Sequence, residues 1–313
     1  METLAVVLQE PQQLGLQRLQ LPTPGDADLV VDVEWSGIST GTERLLWSGR
    51  MPDFPGMGYP LVPGYESVGR VSWAGSSTKI RVGERVFVPG ANCYGAIRGL
   101  FGGTASRVVL PESRTIPIAE ELGEKGILFA LGATAYHAAF SDKGVAADLI
   151  VGHGVLGRLI ARIVIASGAP APMVWEKNTS RFSGAVGYQV IDPDQDPRRD
   201  YRVVCDVSGD SSILDALVSR LAPGGEIILA GFYADRLSFS FPPAFMKEAR
   251  IRIAAQWQKA DMLAVKQLVD SGRLSFDGLI THRSTADGAP SAYRVAFEDP
   301  ACLKMVLDWR KCV

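Results

Sequence analysis

The feature that most restricts this chain is a short apolar run ending in patterned glycines. Leu149-Ile150-Val151 leads directly into Gly152-His153-Gly154-Val155-Leu156-Gly157. A continuous apolar run of this kind is expected of a parallel strand buried on both faces. After the glycines, Leu156, Leu159, Ile160, Ile163 and Val164 recur at helical spacing, with Arg158 and Arg162 on another face, until Gly168 and Pro170 stop the pattern. Met173-Val174-Trp175-Glu176 reads as a second strand. Strand, tight turn, helix and strand make a βαβ unit. The alternation continues through an apolar run at 202–207, helical spacing over 213–221, a Pro223-Gly224-Gly225 turn and a further strand at 226–231. The second half is therefore expected to be a doubly wound α/β domain, with the polar stretch 192–200 as a surface loop.

The first third follows a different pattern. Strand-like stretches at 29–35, 67–73 and 85–88 are separated by Pro22, Pro24-Gly25, Pro52, Pro55-Gly56, Pro60, Pro63-Gly64, Gly75 and Pro89-Gly90. Short strands joined by such corners predict a small, mostly antiparallel barrel or partly rolled sheet. The pattern changes from Glu120, and 313 residues suit two domains.

Charge excludes some functions. Thirty-two Lys and Arg against 34 Asp and Glu leave a net charge of -2, so no footprint for nucleic acid or an anionic membrane is visible. Cys93, Cys205, Cys302 and Cys312 form no C-x-x-C pair, and with only three histidines beside them no zinc site has its ligands at usual spacing. Met1-Glu2-Thr3 opens no basic leader, and no apolar run approaches the ~20 residues that span a bilayer. The expectation is a reduced, cytoplasmic protein with no metal.

The glycine loop has the surroundings that a dinucleotide requires. Gly152 would permit the tight turn, Gly154 would let backbone approach a pyrophosphate, and Gly157 would allow close packing, while the helix opening at Val155 and Leu156 stabilises negative charge. Glu176, at the end of the next strand, would accept hydrogen bonds from the adenosine ribose and repel a 2'-phosphate, which favours NAD over NADP. Lys177 and Arg181 pull the other way, because either could meet a phosphate. His153 is expected to be a spacer with a free ring. Asp206, at the C-terminal end of a parallel strand, either lines the nucleotide crevice or caps the helix starting near Ser211.

The order of barrel-like portion, dinucleotide fold and returning C-terminal segment resembles the medium-chain dehydrogenase/reductase superfamily over nearly the full chain. Pro63-Gly64-Tyr65-Glu66-Ser67-Val68-Gly69 resembles its G-H-E-x-x-G, Gly83-Glu84-Arg85-Val86 its G-D-R-V, and Leu221-Ala222-Pro223-Gly224-Gly225 its L-x-x-G-G. Leu279-Ile280-Thr281-His282-Arg283, Ala292-Tyr293 and Lys304 resemble its closing stretch. The resemblance implies an α/β protein: a GroES-like, partly rolled β-barrel catalytic domain at 1–118, a Rossmann doubly wound parallel sheet at 119–257, and a return segment at 258–313. It also implies that Thr134 touches the cofactor near its nicotinamide end, and that the strand around 250–254 pairs with its copy in a homodimer.

The departures from the family pattern carry as much weight. Tyr65 stands at the family's zinc-binding His. In Gly37-Ile38-Ser39-Thr40-Gly41-Thr42-Glu43, similar to G-I-C-G-T-D with one residue extra, Ser39 and Thr40 stand where the Cys ligand belongs. The cysteine-rich lobe is missing, with only Cys93 in that stretch. The chain is thus expected to be a zinc-free member that does not polarise its alcohol through zinc. Segments 36–49, 60–66 and 100–105 resemble a zinc-free branch acting on bacteriochlorophyllide precursors. That likeness implies NAD-linked oxidation of a 3-(1-hydroxyethyl) group to 3-acetyl. A zinc-free NAD(P)H-dependent quinone or enone reductase and a non-catalytic pigment carrier stay open.

Without metal, the hydroxyl proton needs a route of its own. Tyr65, Thr40 and Ser39 are the first candidates, Glu66 the second and His137 the third. A free phenol has a pKa of about 10, so Tyr65 as a base requires a nearby cation or the oxidised nicotinamide. Tyr65 could instead fill the old metal cavity, Glu66 could be a structural pair, and His137 a packing residue. Trp35, Trp47, Met51, Phe54, Met57 and Tyr59 could provide an apolar wall for a flat tetrapyrrole.

Overall fold

The strand-like stretches of the first third find one another in the computed structural model, which describes residues 1–233 and 235–312. Asp28–Ile38 runs antiparallel to Ser67–Ala74, with Val33 opposite Gly69. A Cβ at Gly69 would lie 2.3 Å from Asp32 O, so the strands approach this closely only with glycine there. One sheet has the order His282–Thr285, Met305–Asp308, Asp28–Ile38, Ser67–Ala74, Arg85–Val88, Ile116–Pro117, with Arg107–Pro111 also paired to Asp28–Ile38. A four-stranded sheet has the order Gln13–Gln20, Glu2–Glu10, Leu61–Val62, Arg98–Gly99. Their shared core buries Val7, Val31, Val33, Val86, Val108, Leu307 and Trp309. The C-terminal return completes it, since Met305–Asp308 lies antiparallel to Asp28–Ile38 with Met305 opposite Ile38.

The second unit is a six-stranded parallel sheet in the order Gln189–Ile191, Met173–Trp175, Leu149–Val151, Tyr201–Asp206, Leu221–Leu229, Arg250–Ile253. Leu149, Ile150 and Val151 are buried as a two-sided strand requires. The helix Val155–Ala166 buries Leu159, Ile160, Ile163 and Val164. It also buries Arg158, which the helical spacing had put on another face. The stretch 192–200 is a surface loop apart from Asp196, which is buried and accepts hydrogen bonds from Trp175 Nε1 (2.7 Å) and Tyr201 OH (2.6 Å). The Pro223-Gly224-Gly225 turn is drawn into Leu221–Leu229, where the pairing with Tyr201–Asp206 shifts register.

The chain divides into 1–130 with 277–313, and 131–276. Both joints fall later in sequence than 118/119 and 257/258, for reasons of packing. Glu120–Leu128 rests on the strands Asp28–Ile38 and Ser67–Ala74, whereas Gly132 meets Val265 of the helix Lys259–Asp270 and Phe276. Among the described residues no helix is long and apolar enough to cross a membrane.

Candidate active site and dinucleotide loop

In the first unit, Tyr65 follows Gly64, whose φ of 93° is left-handed and whose missing Cβ would lie 2.1 Å from Thr104 Oγ1. This tight corner sets the half-buried phenol beside Ser39, with Oγ and OH 2.7 Å apart. The nearby Thr42 hydroxyl favours the phenol's charged form, and the Phe101 ring stands edge-on at 5.6 Å. Thr40 makes no hydrogen bond to the phenol.

Two buried carboxyls support this pair. Glu43 accepts from Ser39 N–H (3.0 Å) and from Tyr293 O–H (2.6 Å). Burial pushes its pKa up to about 7, against the pull of those hydrogen bonds. Glu66 is fully buried and ion-paired with Lys304 at 2.6 Å, and Lys304 also donates to Ile38 O. A Cβ at Gly37 would lie 2.4 Å from Glu66 Oε2, so glycine makes room for the carboxylate. Burial raises the Glu66 carboxyl and Lys304 opposes it. Glu66 is thus turned into the unit and held there, as a structural pair rather than a solvent-facing base.

Among the described residues no cation acts on Tyr65 to make it a base. Burial, and then the charge of Glu66, push the phenol above its ordinary value, and the Ser39 and Thr42 hydroxyls only partly offset them. Tyr65 keeps its proton near neutrality. His137 lies in the second unit, where its Nδ1 is 3.0 Å from Asp261, the acid of the capping box of Lys259–Asp270. It is a structural pair.

The expected apolar wall is mostly core. Trp35 is buried under the guanidinium groups of Arg85 and Arg310, Trp47 packs on Phe297, and Met51 is buried with Leu46, Leu61 and Leu100. Tyr59 donates to Leu46 O, and of the six only Phe54 is exposed. Phe101 was not among them, yet it stands beside Tyr65 and is 37% exposed.

In the second unit each glycine has its own job. Gly152 adopts φ 104° and donates to Trp175 O. A Cβ at Gly157 would lie 1.9 Å from Gly152 O, whereas one at Gly154 meets nothing within 4 Å. Gly154 is the N-cap of Val155–Ala166 without a side-chain cap, so the N–H groups of Val155 and Leu156 are left for an anion. Glu176 accepts from His153 N–H (3.0 Å) on one oxygen and Asn178 N–H (2.9 Å) on the other. An uncapped helix start, space at Gly154 and an oriented carboxylate fit a dinucleotide.

Two expectations change here. The His153 ring is fully buried and hydrogen-bonded at both nitrogens, to Arg181 O (2.6 Å) and Tyr188 OH (2.8 Å), and burial lowers its pKa to about 4. The Arg181 backbone is thereby tied to the loop. Asp206 is fully buried and accepts from Tyr233 O–H and Ser208 N–H. It neither faces a crevice nor caps a helix, since the helix Leu214–Arg220 has Ile213 as its N-cap, without a side-chain cap. Thr134 is half-buried in the helix Phe129–Ala138.

Of the residues that make these networks, Lys304, Tyr293, Thr42, Glu43 and Tyr188 were given no role from sequence. Lys304 carried a signal, because a lone cation within Cys302-Leu303-Lys304-Met305-Val306 must be paired if that strand is buried.

Residues 25–120 match the alcohol dehydrogenase GroES-like domain. The 2R,3R-butanediol dehydrogenase of Bacillus subtilis shares the fold at a TM-score of 0.85 and 21% identity, over 98% of this chain and 99% of that one. Escherichia coli L-idonate 5-dehydrogenase does so at 0.85 and 18%, over 98% of each. Barrel, parallel sheet and glycine loop thus define a two-domain dehydrogenase of the medium-chain class. At 55% and 56% identity, over 99% of this chain and of each relative, it matches the 2-desacetyl-2-hydroxyethyl bacteriochlorophyllide A dehydrogenases of Rhodobacter capsulatus and Cereibacter sphaeroides. The chain belongs to that family.

Proposed function

We propose that this protein is an NAD-linked dehydrogenase that oxidises the hydroxyethyl side chain of a bacteriochlorophyllide precursor to acetyl, a step of bacteriochlorophyll formation. The full-length relatives support the substrate. The observation that carries the chemistry is the 2.7 Å hydroxyl pair of Tyr65 and Ser39, at the position where the wider family keeps zinc ligands.

Oxidation of a secondary carbinol removes a hydride from carbon and a proton from oxygen, leaving the ketone. When bound, the nicotinamide accepts the hydride. The neutral Tyr65 hydroxyl hydrogen-bonds the carbinol oxygen and takes its proton as its own moves to Ser39 Oγ, which passes the proton it already holds to solvent water, so that one proton leaves with each hydride. No tyrosinate is needed, which suits a phenol whose surroundings hold its pKa up. The backbone around Gly154 cradles the pyrophosphate, and Glu176 favours the ribose diol of NAD over a 2'-phosphate. Thr134 contacts the nicotinamide end.

The protein acts as a homodimer. Arg250–Ile253 ends its sheet with Ile253 75% exposed, and Phe241, Phe245 and Met246 are exposed just before it in the chain. A cytoplasmic location fits four free cysteines.

The test mixes purified protein, NAD and the hydroxyethyl bacteriochlorophyllide, with and without a chelator, and follows NADH and pigment absorbance together. Chelator-insensitive NADH formation matched by acetyl pigment is expected. Folded protein that binds NAD without turnover, yet rapidly reduces a quinone, would overturn the assignment. Tyr65→Phe should lower kcat by about 10²–10⁴-fold with NAD affinity unchanged. In light scattering a monomer at working concentration would remove the dimer.

A further inference from the structure

The residue between the first two glycines of a dinucleotide loop needs no side-chain role, yet here every polar group of His153 is engaged. Its N–H donates to Glu176, and its carbonyl accepts from Arg158 Nε at 3.1 Å. Arg181 O can only accept, so Nδ1 carries the proton and Nε2 accepts from Tyr188 O–H. Arg158 adds a second clasp through Nη2 to Arg181 O at 3.2 Å. Its guanidinium fits because residue 184 is glycine; a Cβ there would lie 2.1 Å from Nη1.

Apart from the Arg158–His153 bond, which lies within the loop and its helix, these bonds join two segments, the glycine loop and the stretch 176–188 that follows the strand Met173–Trp175. We propose that His153 is a positioning residue for cofactor choice: by locking 176–188 onto the glycine loop, it fixes the Glu176 carboxylate where it rewards a ribose 2'-hydroxyl and repels a 2'-phosphate. This rests on the dinucleotide reading given above. The mechanism is geometric. Glu176 ends a strand, but its carboxylate is oriented by the N–H groups of His153 and Asn178, one from each segment, and discriminates only while the two stay in register. The His153 ring and Arg158 maintain that register from within the interior, where water does not compete for the bonds.

KM and kcat for NAD and for NADP, with the substrate saturating, test this on wild type, His153→Ala and Tyr188→Phe. His153→Ala should raise KM for NAD about tenfold and leave kcat within about twofold. KM for NADP should rise less or fall, so the NAD preference shrinks. Tyr188→Phe removes one hydroxyl from the clasp and should move the preference in the same direction by a smaller factor, which keeps the test open if His153→Ala folds poorly. An equal rise for both cofactors, unchanged constants in folded variants, or a wild type that prefers NADP would each overturn the proposal. A wild type that binds neither nucleotide would instead overturn the dinucleotide reading itself.

Discussion

Around Glu43 and Glu66 buried charge is settled within the protein: Lys304 neutralises Glu66 at 2.6 Å, and Glu43 sits at the edge of protonation with Tyr293 and Ser39 as donors. Behind the glycine loop the accounting differs. Arg158 is 5% exposed, yet its donors go to the carbonyls of His153 and Arg181, and among the described residues it has no ion pair with a carboxylate. His153 stays neutral beside it. Burial disfavours the Arg158 cation, and the Glu176 carboxylate offsets this through its charge without an ion pair. One interior pairs its buried charge with a buried charge, although Glu66 Oε1 has no hydrogen-bond partner among the described residues; the other holds its cation on backbone carbonyls.

That contrast is broken most severely by unpairing Glu66. Lys304→Met strands a carboxylate in the interior and should cost about 3–5 kcal/mol of unfolding free energy in a denaturant titration. Adding Glu66→Gln should recover most of the loss, because a neutral pair of similar volume removes the uncompensated charge. A single-variant loss under about 1 kcal/mol would mean that the pair is hydrated and that the first interior is not self-contained.

Glu43 gives a smaller effect that depends on pH. Its carboxyl rises from an ordinary 4.5 to about 7, so the fold favours the protonated form. A raised folded-state pKa contributes stability that is fully present below the unfolded value and is lost as pH rises through the folded one. Wild type should therefore lose about 3 kcal/mol from this group between roughly pH 4 and pH 8. Glu43→Gln holds the neutral geometry at every pH, accepting from Ser39 N–H and donating to the Tyr293 oxygen, so it should not show that loss. Parallel pH curves for the two proteins would show that Glu43 ionises freely.

The same contrast explains what was legible in the sequence. The glycine loop is built from contiguous residues whose backbone does the work, so strand, turn, helix, the tight turn at Gly152 and the close packing at Gly157 could be read in order. The hydroxyl cluster gathers residues 39, 42, 43, 65, 66, 293 and 304 by pairing the C-terminal return with Asp28–Ile38, and no local pattern encodes that meeting. Tyr65 and Ser39 were found because they interrupt a motif. Single polar residues failed for a related reason: Asp206, His153 and Arg158 look available in the sequence, and burial decides otherwise.

The finest test separates fold from ligand within one loop. A Cβ at Gly154 meets no protein atom within 4 Å, and its φ of -73° suits alanine, so Gly154→Ala should cost no more than the ~1 kcal/mol of a poorer N-cap. If the loop is shaped for a pyrophosphate, the added methyl stands in the ligand's place, and NAD affinity should fall about tenfold, or about 1.4 kcal/mol. Gly157→Ala differs in kind, because its Cβ would lie 1.9 Å from Gly152 O and must disturb the loop before any ligand arrives. Calorimetric titration with NAD, beside a melting curve, compares the two. Unchanged affinity in a folded Gly154→Ala protein would mean that the pyrophosphate does not approach this glycine.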